Sequence, residues 1–152
     1  VVAFVSDVSD NNTCPEVITR TYSVTDDCGN SINVTQTITI HDTIAPDLAA
    51  CSLTNTTLEC SATENEAMAI QWNLDNIAAL EACATDNCDA NLIGQVSSDY
   101  DFANLNTVCG PCGTLNVTYT VTDDCGNSTP ISLTLTLDDG TIPDLSNCNV
   151  TD

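Results

Sequence analysis

The residues with chemistry to offer are of two kinds. Ten cysteines and 22 acidic residues stand among 152, against one arginine and one histidine. Many of the aspartates fall in turn-forming strings such as Thr85-Asp86-Asn87-Cys88-Asp89 and Asp123-Asp124-Cys125-Gly126-Asn127. Carboxylates gathered in this way suit a hard cation, since Ca²⁺ takes about six to eight oxygen ligands. Asp42, Asp47, Asp86, Asp89, Asp123 and Asp124 are the candidate ligands, and Ca²⁺ is the one cofactor the residues point to. Asp and Asn also close turns by bonding their own backbone, so the same strings work without an ion.

Cysteine at this density predicts an oxidising compartment and a disulfide framework. Zinc would need more histidine or paired Cys-x-x-Cys spacing. Cys109-Gly110-Pro111-Cys112 has the letters of a dithiol redox motif. It lacks the helix opening at its first cysteine and the surrounding βαβ pattern, so a structural role is expected. His41 lies in a linker with no nucleophile beside it. No paired acid and base, Ser/His arrangement or phosphate loop is present, and the chain is expected not to be an enzyme.

Charge narrows the partners. The net charge of −21 leaves nothing to replace counterions on a nucleic acid, and an anionic membrane surface would repel the chain. No apolar run approaches the roughly 20 residues of a membrane span, so no membrane insertion is expected in this segment. Without lysine, amide cross-links from that side chain are impossible, and covalent bracing falls to disulfides.

The elements that must position these residues come as a repeat. Val24-Thr25-Asp26-Asp27-Cys28-Gly29-Asn30-Ser31 recurs letter for letter as Val121–Ser128, and 17 of 32 positions match between 20–51 and 117–148. The 97-residue spacing suits a β-sandwich of about 100 residues better than a solenoid unit. The expected organisation is 1–46 as the C-terminal part of one repeat, 47–143 as a complete repeat, and 144–152 as the start of the next. Alternating segments 17–25 and 32–40 predict strands around a hairpin turn, and 115–122 and 131–137 repeat them. Pro130 predicts an edge position or a strand start. Pro46 stiffens the linker between repeats.

Residues 63–84 change period. Thr63 and Glu66 form a capping-box pattern, and Ala67, Ile70, Leu74, Ile77, Leu80 and Ala84 share one helical face. Met68 and Trp72 then lie opposite, either buried against the sheet or exposed as a contact patch. The fold class is therefore mainly β, immunoglobulin-like sandwich repeats with one α-helical insertion at about 63–84.

Strand direction limits the bridges. Cys14 and Cys28 flank one strand at about 3.3 Å per residue, far beyond disulfide reach. Calling the pole where a repeat begins its leading pole, Cys88 and Cys125 are expected to pair there. Cys51 and Cys83 should share that pole. Cys60 should meet Cys109 or Cys112 at the trailing pole.

The string Tyr-Ser/Thr-Val-Thr-Asp-Asp-Cys-Gly-Asn-Ser, the Thr/Ile strand and Asp-Thr-Ile-Ala-Pro-Asp resemble the HYR-like, immunoglobulin-like repeats of very large surface proteins of Bacteroidota. Those include gliding-motility adhesins and other type IX secretion cargo. The helical insert, followed by Ser-Asp-Tyr-Asp-Phe-Ala-Asn, is similar to a subtype of these repeats. The resemblance covers nearly the whole chain. It implies a secreted, cell-surface module for structure or adhesion. The cysteine usual in the strand after the Gly-Asn turn is missing at Ile32-Asn33-Val34.

The expected function is a structural repeat of a long extracellular protein, an adhesin stalk or filament stiffened by disulfides. Its partners would be neighbouring repeats and other copies of itself. The alternative is a module binding glycans or a host surface, with Tyr100 and Phe102 stacking on sugar.

Overall fold

The computed structural model describes residues 1–143. The expected start of a further repeat at 144–152 lies outside them. The fold is mainly β, with two sheets and a single helix among the described residues, in line with β-sandwich repeats carrying one helical insertion.

The first sheet is an antiparallel meander of β1 (Val2–Ser9), β2 (Glu16–Thr25) and β3 (Ser31–Ile40), with β2 in the centre. Side chains alternate across a strand, so the register sorts them by face. Phe4 opposite Tyr22, Tyr22 opposite Val34 and Ile18 opposite Ile38 gather the apolar residues on one face. The threonines Thr19, Thr21, Thr35 and Thr37 line the other. The apolar face is uncovered: Phe4 is 59% exposed and Ile32 68%.

The second body contains β4 (Thr56–Glu59), α1 (Asn65–Cys83), β5 (Val96–Ser98), β6 (Asn106–Cys109), β7 (Cys112–Thr122) and β8 (Ser128–Asp138). Its sheet runs β4-β8-β7-β5, with β6 also paired to β7. β4 is parallel to β8, and the other pairs are antiparallel. Pro130 sits near the start of β8 opposite Thr120, beyond the stretch that β4 covers, so its missing N–H breaks no ladder bond on the outer side. Gly113 has no room for a side chain, because a Cβ there would run into the Asn106 carbonyl of β6.

The core lies between this sheet and α1. β7 supplies Leu115, Val117, Tyr119 and Val121, β8 supplies Leu133, Leu135 and Leu137, and α1 supplies Ala69, Trp72 and Leu80. Trp72 and Tyr119 meet edge to face at 6.2 Å. Each fully buried aliphatic side chain here contributes on the order of 1.5–3 kcal/mol.

The helix differs from expectation in two ways. It spans Asn65–Cys83, and the capping box does not form, since Glu64 at the N-cap makes no side-chain bond. The Ser61 hydroxyl instead accepts from the Thr63 and Glu64 N–H groups, while Asn65 Oδ1 accepts from Ser61 N–H at 2.6 Å. Second, the buried stripe is Asn65, Ala69, Trp72, Asn73, Asn76 and Leu80, whereas Ile70 and Leu74 face solvent. Polar residues on the inner face are tolerated because they are bonded: Ser98 Oγ donates to Asn73 Oδ1 at 3.0 Å, and Asn76 Nδ2 donates to the Trp72 carbonyl at 2.9 Å. Trp72 is core, not part of a contact patch. Met68, Tyr100 and Phe102 are partly buried and pack against the same core.

Candidate functional site at the junction of the repeats

The residues that converge most tightly lie where the first sheet hands over to the second body. β3 ends at Ile40, and residues 41–46 run from there onto the leading pole of the second body. This linker is seated, not loose. Pro46 is fully buried, and its carbonyl accepts from Thr129 Oγ1 at 2.6 Å. Asp47 and Thr85 exchange both backbone bonds, at 2.7 and 3.1 Å. Asn127 Nδ2 donates to the Asp42 carbonyl at 3.2 Å.

A disulfide crosses the same junction. Cys14, just ahead of β2, is bonded to Cys125 in the turn between β7 and β8, 111 residues on. Cys125 therefore does not pair with Cys88, as strand direction alone had predicted. Cys88 has no bonded partner among the described residues, although it lines the same hollow of about 270 Å³ as Cys14 and Cys125. The reason is the linker's path. Residues 41–46 bring the trailing pole of the first sheet onto the turn of the second, and Cys14 reaches Cys125 first. Strand direction already put Cys14 at one trailing pole and Cys125 at the next leading pole, so the short linker between them was the available signal. Treating each repeat as a closed unit hid it.

The other bonds lie within the second body. Cys51 is bonded to Cys83 at the C-terminal end of α1, and Cys60 to Cys112 at the start of β7. Cys28 and Cys109 are exposed and without a bonded partner among the described residues.

Three of the acidic candidates meet at the junction. Asp42, Asp86 and Asp123 each present a carboxylate oxygen within 4.8 Å of the others. Asp42 is 8% exposed and Asp123 4%. Each is aimed by local N–H groups. Asp42 Oδ1 accepts from Ile44 N–H and Asn87 Nδ2, Asp86 Oδ1 from Cys88 and Asp89 N–H, and Asp123 Oδ1 from Cys125 and Asn127 N–H. The Ile44 N–H bond is the main influence holding the Asp42 carboxyl below the usual range, against the opposing effect of burial.

The remaining acidic candidates stand apart. Asp89 and Asp124 line the hollow but are not among the converging carboxylates; Asp89 accepts from Asn91 and Asp124 N–H, and Asp124 Oδ1 from Gln95 Nε2. Asp47 is exposed, its carboxylate bonded to Ala49 N–H while its backbone pairs with Thr85. His41 Nδ1 lies 3.2 Å from Cys14 Sγ. Cys14, His41 and Cys125 thus form a second cluster, but its sulfurs are bonded to each other and offer no thiolate to a metal.

Three disulfides among the described residues suit an oxidising, extracellular environment. Among the described residues no helix is long and apolar enough to cross a membrane. No family model matches the chain, and no curated protein matches it.

Proposed function

We propose that this chain is a segment of a tandem-repeat protein of the cell surface, and that its role is mechanical, not catalytic. It is a spacer in an adhesin stalk or extracellular filament, with neighbouring repeats and other copies of itself as partners. The observation that carries this reading is the Cys14–Cys125 bond between two repeat bodies. A covalent tie across a linker, with Pro46 buried and Asp47 paired to Thr85, removes the hinge that domains joined by a free linker would have. The repeat itself supports the boundaries 1–46 and 47–143. Tyr22, Val24 and Ile38 stand where Tyr119, Val121 and Leu135 stand, on the face that α1 covers in the second body.

The alternative, a glycan-binding module built on the loop after β5, fits less well. Tyr100 and Phe102 pack against the core and the Tyr100 hydroxyl is buried, which leaves Phe102, at the edge of an open hollow of about 470 Å³, as the one ring of the pair that a sugar could reach.

Small-angle scattering of the oxidised chain tests the spacer reading. At low concentration the native chain is expected to scatter as one rigid body. Cys14→Ser is expected to broaden the distance distribution while leaving the secondary structure unchanged. A native chain that already scatters as two hinged bodies would sink the proposal.

A further inference from the structure

We propose that Asp42, Asp86 and Asp123 form a divalent-cation site for Ca²⁺ at the junction of the repeats. Each comes from a different segment: the linker after β3, the turn after α1, and the turn between β7 and β8. Folding brings them together, so the cluster is not an accident of one acidic string.

Two atoms point to a ligand. Asp42 Oδ2 and Asp86 Oδ2 are both buried without a hydrogen-bond partner, and Asp42 itself is 8% exposed. A bare carboxylate oxygen away from water is costly, and more so beside two other carboxylates. Neither basic side chain of the chain bonds these carboxylates: Arg20 is held by Asp7 through two bonds of 2.7 Å, and His41 Nδ1 lies 3.2 Å from Cys14 Sγ. The Asn87 and Asn127 amides reach Asp42 Oδ1 and Asp123 Oδ2, but they carry no charge.

The spacing fits one ion. Ca²⁺ binds oxygen at about 2.3–2.6 Å, so two ligands on opposite sides of it stand roughly 4.6–5.2 Å apart. All three carboxylates lie within 4.8 Å of one another. All the donors are oxygen, which favours a hard cation over zinc or copper. The backbone N–H groups bonded to the Oδ1 atoms hold the carboxylates in place before any ion arrives. Calcium accepts irregular geometry from three carboxylates of separate segments, whereas magnesium demands a near-ideal octahedron at about 2.0–2.1 Å.

Calorimetric titration of the full oxidised chain with CaCl₂, after chelator treatment and in physiological salt, tests this. One saturable site is expected, with Kd on the order of 0.1–1 mM as in extracellular calcium modules, together with a higher melting temperature. Asp42→Asn and Asp86→Asn should each weaken binding about tenfold or more. Asp26→Asn should leave binding intact, because it removes the matching carboxylate from the first hairpin turn, where no such cluster exists among the described residues. If one acidic variant fails to fold, the other carries the result. Absence of saturable binding would overturn the site. So would equal losses in Asp26→Asn and Asp42→Asn, which would mark diffuse counterion uptake by an acidic chain. Equal binding of MgCl₂ would overturn the calcium assignment.

Discussion

Asp26 and Asp123 are the same letter in the same eight-residue string, and locally they do the same work. Each accepts from the N–H groups two and four residues on, and each holds the side chain of the following Asn. This much was legible, because a turn's bonds close within its own residues. Burial differs: Asp26 is exposed, and Asp123 lies beneath the linker. Tyr22 and Tyr119 divide in the same way. Tyr119 is fully buried, its hydroxyl 3.5 Å from Asn76 Nδ2, and burial is the main cause that pushes its pKa up to about 12. A folded-state pKa raised above the unfolded value contributes stability that is complete below the unfolded pKa, near 10, and is lost as pH rises through the folded one. Denaturant midpoints are therefore expected to fall between about pH 10 and 12, and this alkaline decline should be reduced in Tyr119→Phe. An unchanged decline in that variant would show that Tyr119 is not its source.

The helix is the element whose existence was legible and whose orientation was not. A run of helix formers without Gly or Pro marked residues 65–83 well. The apolar stripe chosen from the letters holds at Ile77, Leu80 and Ala84 and fails at Ala67, Ile70 and Leu74, because Asn73 and Asn76 look like surface residues. They face inward because Ser98 and the Trp72 carbonyl supply their partners, and those partners belong to the fold, not to the pattern. The two candidate faces share Leu80 and divide at Trp72 and Leu74. Trp72→Ala, at a buried position, should cost about 3–5 kcal/mol by urea unfolding. Leu74→Ser, at a position 52% exposed, should stay within about 0.5 kcal/mol of the native chain. A reversed order would show that α1 packs by its other side. The Cys51–Cys83 bond at the end of α1 pins that orientation, and bonds of this kind contribute about 2–4 kcal/mol.

At the scale of the whole molecule, the two ends carry halves of the joint seen in the middle. Cys28 takes the place in the first hairpin turn that Cys125 takes in the second, and Cys109, like Cys14, precedes a long central strand at a trailing pole. Both are exposed with no bonded partner among the described residues. If the middle joint is a template for assembly, the concentrated oxidised chain should form a ladder of linked oligomers on non-reducing gels. Reductant should collapse the ladder, Cys28→Ser or Cys109→Ser should leave only monomer, and Cys88→Ser should leave it intact. A monomer under all these conditions would confine the joint to repeats within one chain.

The letters alone determined the repeat, the strands and their turns, the presence of a helix and that disulfides brace the fold. All of these rest on short-range periodicity, turn chemistry and composition, which act over a few residues or over the whole chain at once. Only the tertiary structure decided that Cys125 takes Cys14, that α1 buries Trp72 and Asn76, and that three of six acidic candidates meet. Each of those outcomes depends on the path of the six residues 41–46 or on the packing of one layer on another. Contacts between distant segments are fixed by where the backbone goes, and no local pattern carries that information.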